Sequence, residues 1–130
     1  MDQYPSPEVA QRLATLSTDA RGRLLHWRSL IIEAAKRNGD IGPLVETLKW
    51  GQPSYLPERK KTGTTIRLWV NRDEMPTIFV PCSTRLIDRA RERYADEAQF
   101  EGDRAFIPNT DCADGPLMAF ITDALTYHLR

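Results

Sequence analysis

The stretch Leu48-Lys49-Trp50-Gly51-Gln52-Pro53-Ser54-Tyr55 decides how the rest of the chain is read. Before it, apolar residues recur at helical spacing. After it, they alternate with polar ones, as strands do. The stretch also gathers an indole, an amide, a hydroxyl and a phenol, held by one glycine and one proline, and such groups build small binding sites.

Upstream, Ser6-Pro7-Glu8 reads as a helix start, with a hydroxyl cap, proline at the first helical position and an acid in the first turn. Val9, Leu13 and Leu16 follow on one face. Asp19 is placed to cap a longer helix whose apolar face is Leu24, Trp27, Ile31, Ala34 and Ala35, ending at Asn38-Gly39. A short third helix is expected next, with Leu44, Val45 and Leu48 inward, Pro43 near its start and Gly51 just past its end.

Downstream, residues 64–70 (TTIRLWV) and 77–80 (TIFV) have strand composition and are joined by a polar turn, which predicts an antiparallel hairpin. Ser83-Thr84 offers a cap for a helix carrying Leu86, Ile87, Ala90 and Tyr94. A second hairpin is expected around a Gly102-Asp103 turn. Asp114 is placed to cap a last helix lined by Leu117, Phe120, Ile121, Ala124, Leu125 and His128. Strands arriving in adjacent pairs predict an α+β fold: a small, mainly antiparallel sheet with helices packed on one face. At 130 residues one domain is expected, its helical part at about 6–50 and its sheet-containing part at about 51–130.

Composition narrows the function classes. The chain carries 18 basic and 18 acidic side chains, so its net charge is zero. That removes the global attraction behind non-specific nucleic-acid binding, and no nucleic-acid partner is expected. No apolar run approaches the ~20 residues of a membrane helix, and Met1-Asp2-Gln3-Tyr4-Pro5 does not read as a secretory signal. A cytoplasmic protein with no membrane partner is expected, and Cys82 and Cys112 then read as free thiols. There is no Gly-rich phosphate loop, nucleophile elbow or His-Glu-x-x-His pair, so no catalytic residue and no metal ligand is assigned.

Two readings stand for the hinge. In one, Trp50 and Tyr55 wall a pocket, Gln52 and Ser54 supply hydrogen bonds, and Arg67 from the next strand supplies a cation. In the other, Trp50 is core, Gly51 ends a helix and Pro53 stiffens the path into the sheet. Arg67 must face away from Ile66 and Leu68. It then needs a carboxylate, for which Glu101 is the candidate, or a bound anion, or else it faces solvent. Cys82 lies between a strand end and a helix start, where amide dipoles favour negative charge, so a reactive thiol stands beside a small buried hydrophobe. Arg85, Arg89 and Arg93 form a stripe, but Asp88 and Glu92 stand at ion-pair spacing and read as its neutralisers. The acids from Asp96 to Asp114 are dispersed over turns. No cofactor is expected, with iron the one left open.

The segments LKWGQPSY at 48–55 and GTTIRLW at 63–69 resemble the YdhG-like family of domains of unknown function. FVPCST at 79–84, EGDRAF at 101–106 and ALTYHLR at 124–130 fit the same pattern. The resemblance runs from Thr47 to the C-terminus. It implies a small bacterial α+β protein, an antiparallel sheet packed with helices, and no established enzyme activity. Some relatives are described as frataxin-like iron chaperones that use acidic surface residues. The family's hallmarks carry over as Trp50, Gly51, Pro53 and Tyr55, with Thr65, Arg67, Cys82, Glu101 and Arg104 as further matches. The expectation is therefore a small binding or interaction module for an anionic molecule or a protein partner, with Trp50, Gln52, Ser54, Tyr55, Arg67, Cys82, Glu101 and Arg104 at its site. The alternatives are an iron carrier and a thiol enzyme using Cys82.

Overall fold

The Ser6 hydroxyl accepts a hydrogen bond from the Val9 amide and starts α1 (Pro7–Leu13), as its sequence predicts. The computed structural model describes residues 4–129, so Met1, Asp2 and Gln3, read above for a signal, lie outside it. Helix α2 (Thr18–Arg37) is capped by Ser17, whose hydroxyl accepts from the Ala20 amide; Asp19 sits in the first turn instead. Its buried face holds Leu24, Trp27, Ile31 and Ala34, and also Arg28. Asn38 closes it in extended conformation (φ −120°), and the left-handed residue comes later, at Gly42 (φ 70°).

The expected third helix is a strand. Residues Leu44–Lys49 form β1, which pairs antiparallel with β2 (Gln52–Pro57). Leu44, Glu46 and Leu48 turn inward at period two, while Val45, Thr47 and Lys49 are exposed. A buried carboxylate at Glu46 hides this alternation from a hydropathy reading, and Leu44, Val45 and Leu48 then mimic a helical face. Gly51 therefore ends no helix. Trp50 and Gly51 form a two-residue hairpin turn with φ of 53° and 73°, the type I′ geometry that matches strand twist.

Strands β3 (Ile66–Val70) and β4 (Pro76–Phe79) form the antiparallel hairpin expected from TTIRLWV and TIFV. Thr84 bonds back to the Pro81 carbonyl rather than capping α3 (Leu86–Arg93), whose cap position is Arg85. Strands β5 (Ala98–Glu101) and β6 (Ala105–Pro108) are joined by three residues, Gly102-Asp103-Arg104, not two. Helix α4 (Asp114–Leu125) starts from Ala113 with no side-chain cap, so Asp114 is its first helical residue. His128 falls in a separate 3-10 turn, Tyr127–Leu129.

The six strands form one antiparallel sheet in the order β1-β2-β3-β4-β6-β5. This is the expected α+β architecture, with the sheet reaching back into the part expected to be helical. Tyr55, Ile66, Leu68, Ile78 and Phe106 face the helices and merge with Leu24, Trp27, Ile31, Phe120 and Ile121 in one core cluster. Phe106 stacks on Phe120 at 4.4 Å between ring centroids. Among the described residues, no helix is long and apolar enough to cross a membrane.

Candidate functional site

Strand alternation puts Lys49, Gln52, Thr65 and Arg67 on the sheet face away from Ile66 and Leu68. Register brings them together: Lys49 pairs with Gln52, and Arg67 with Ser54 on one side and Phe79 on the other. Two connections complete the wall. The chain leaving β4 supplies Val80, Pro81, Cys82 and Ser83, and the β5–β6 turn supplies Arg104. A hydrogen bond from the Val80 amide to the Arg104 carbonyl (2.9 Å) pins that turn beside the β4 exit. Together with Lys49, Trp50, Thr65 and Arg67 these residues line a cavity of about 280 Å³.

Arg67 is the centre of the site. Its guanidinium lies 4.8 Å from the Trp50 ring centroid and 5.3 Å from that of Phe79. Its Nη1 donates to Gln52 Oε1 at 2.5 Å. Glu101 is not its partner; that carboxylate accepts from the Asn71 amide at 3.3 Å. Burial, and after it the charge of Arg104, hold the Arg67 pKa below the usual arginine value. The group remains a cation, so two guanidiniums repel each other across this site. Lys49 adds a third positive charge, held near the Thr65 hydroxyl at 3.5 Å. Among the described residues, none that lines the cavity is an Asp or a Glu.

The structure splits the residues read from the sequence. Trp50, Arg67, Cys82 and Arg104 converge on the cavity, and Gln52 orients Arg67. Trp50 is not core: it is 84% exposed. Cys82 is exposed too, not a buried hydrophobe, and precedes the first residue of α3 by four positions. Tyr55 and Ser54 wall no pocket, because both are fully buried. Ser54 Oγ has no hydrogen-bond partner among the described residues. Sequence reasoning missed Lys49, Thr65 as a cavity residue, Pro81 and Ser83; the β1–β2 register was the missing signal for Lys49.

Tyr55 belongs to a second, buried constellation. Arg28 from α2 pairs with Glu46 from β1 at 2.6 Å (Nε to Oε2) and 3.2 Å (Nη2 to Oε1). Glu46 also accepts from the Tyr55 hydroxyl at 2.7 Å and from the Ser6 amide at 3.0 Å. Burial opposes a charged Glu46, but the hydrogen bonds from Arg28, Tyr55 and Ser6 prevail and its pKa is lowered. Burial, then the bond to Glu46, pushes Tyr55 up. These side chains are 3% (Arg28) and 8% (Glu46) exposed, so the constellation ties α2, β1, β2 and the chain before α1 together rather than meeting a ligand.

The remaining charged groups are mostly paired or exposed. On α3, Asp88 lies 3.9 Å from Arg85 and 3.6 Å from Arg91, and Arg93 reaches Asp123 on α4 at 3.4 Å. Burial, then the charges of Glu97 and Asp111, push the Cys112 thiol up. Among the described residues, no three His, Cys, Asp or Glu side chains stand together as a metal site. No family model, curated protein or solved structure matches this chain.

Proposed function

We propose that the protein is a small binding module that holds a multiply charged anion in the cavity between Trp50, Arg67 and Arg104. One observation carries this reading: Lys49, Arg67 and Arg104 share a cavity wall in which, among the described residues, there is no carboxylate. Of these, Arg67 is half-buried while Lys49 and Arg104 are exposed; a half-buried cation with no carboxylate beside it among the described residues is costly unless something anionic meets it. Two guanidinium forks and an ammonium match an oxyanion, and Thr65 and Ser83 add hydroxyl donors. The preference for anions comes from this local patch, since the chain as a whole is neutral. On this reading the module works in the cytoplasm, in keeping with the resemblance to the YdhG-like domains.

Calorimetric titration with inorganic phosphate, sulfate and small dicarboxylates tests the reading. Binding is expected for at least one of them. Arg67→Gln and Arg104→Gln should each weaken it about tenfold or more, because a charge-assisted hydrogen bond contributes roughly 1.5–3 kcal/mol. Absence of any binding by the wild-type protein at millimolar anion overturns it.

A second reading has one observation in its favour. The Cys82 thiol is exposed and lines the same cationic cavity, a setting that attracts anionic electrophiles to a thiol. Iodoacetate labelling decides it: a Cys82 rate equal to that of free cysteine marks an ordinary thiol. Among the described residues, no cluster of metal-ligating side chains supports the iron-carrier alternative.

A further inference from the structure

We infer that the anion is the phosphate of a planar, unsaturated organic phosphomonoester, with its ring against Trp50; the inference rests on the anion-binding reading above. A type I′ turn prefers Asn, Asp or Gly at its first central position, because other residues are strained at positive φ. Trp50 occupies that position at φ 53° and is 84% exposed, so burial in the core does not compensate the strain. An indole held at a strained turn, on the rim of a cavity, is placed for contact with something outside the chain.

The cavity has two chemical halves. By chemistry, Arg67, Arg104 and Lys49 make up the cationic half of the lining, and Trp50, with Val80 and Pro81, its apolar part, the exposed Trp50 being its rim. Arg67 also fixes the indole, lying 4.8 Å from its centroid. A phosphomonoester fits the cationic half, carrying about −1.5 to −2 charge at neutral pH and presenting three acceptor oxygens to three cations. A flat ring fits the rim. At about 280 Å³ the cavity lies at the small end for organic ligands, which favours a single ring over a dinucleotide.

The test compares phenyl phosphate, methyl phosphate and inorganic phosphate by calorimetry on the wild-type protein and on Trp50→Asn. Asn suits the turn, so this variant is expected to fold. Phenyl phosphate is expected to bind wild type at least tenfold more tightly than methyl phosphate, with that ratio falling below about threefold in Trp50→Asn, as loss of one aromatic stacking contact implies. Equal binding of the two esters by wild type overturns this inference while the anion reading stands. A preference that survives in Trp50→Asn overturns the role given to the indole. Failure of all three phosphates to bind removes the phosphate class itself, while a dicarboxylate that does bind would leave the anion reading in place.

Discussion

The Arg67 guanidinium lies 4.8 Å from the centre of the Trp50 indole, although the two residues belong to a strand interior and a hairpin turn. This contact joins a positive-φ backbone position of the β1–β2 hairpin to the half-buried cation at the centre of the cavity wall. It has consequences for stability as well as for binding.

Replacing Trp50 by Asn should stabilise the protein. Relief of a positive-φ aromatic gains about 1–3 kcal/mol, whereas an exposed cation–π contact is worth only ~0.5–1 kcal/mol. A net gain of about 1 kcal/mol, read from urea denaturation, is expected together with weaker ligand binding. A less stable variant would show that the indole packs for the fold rather than for a ligand.

Arg28→Ala should be among the most damaging single changes. It strands the Glu46 carboxylate, 8% exposed, without its ion-pair partner. Removing one member of a buried pair costs roughly 3–5 kcal/mol, against less than about 0.5 kcal/mol for Arg37→Ala in its exposed pair with Glu33. Similar midpoints for the two variants in chemical denaturation would contradict this.

Stability should fall at both ends of the pH scale for identifiable reasons. Glu46 has a folded pKa below its ordinary 4.5, so its contribution is complete above 4.5 and disappears as pH falls through the lowered value. Tyr55 has a folded pKa above its ordinary 10.0, so its contribution is complete below 10.0 and disappears as pH rises toward the raised value. Denaturation midpoints measured from about pH 3 to about pH 11 check both limbs. Tyr55→Phe should flatten the alkaline limb and Glu46→Gln the acid limb.

Gly63→Ala should destabilise by at least about 1–3 kcal/mol, the usual cost of overpacking. A Cβ at Gly63 would stand 2.2 Å from the Leu125 carbonyl oxygen, a backbone atom that has no side-chain freedom. The neighbouring bonds from Thr64 N to Ala124 O and from His128 N to Thr62 O, both 2.9 Å, fix this approach of the loop to the end of α4. Gly39→Ala, with nothing within 4 Å of the added methyl, is the control. Thermal melts of the pair should separate clearly.

Ser54→Ala should leave stability unchanged or raise it by up to about 1 kcal/mol, because a buried hydroxyl without a partner contributes no compensating bond. A loss of more than about 1 kcal/mol would mean that the hydroxyl has a partner, such as a bound water.

The sequence by itself determined the elements whose pattern is local. The Ser6 cap of α1, the apolar faces of α1 and α2, the TTIRLWV and TIFV strands, and the outward direction of Arg67 all follow from local pattern, whereas the caps of α2 were misplaced. It also marked residues 50–55 as the change in the chain's character. It misread β1 because a helical and a strand pattern overlap at Leu44, Val45 and Leu48, and the arbiter, Glu46, is buried only through a partner 18 residues away. Which residues meet was decided by tertiary structure alone. Register and the three-residue β5–β6 turn brought Lys49 and Arg104 to Arg67, took Glu101 away from it, and sealed Tyr55 against Glu46. Pairing between strands and the desolvation of charges depend on contacts far apart in the chain, and no local pattern encodes them.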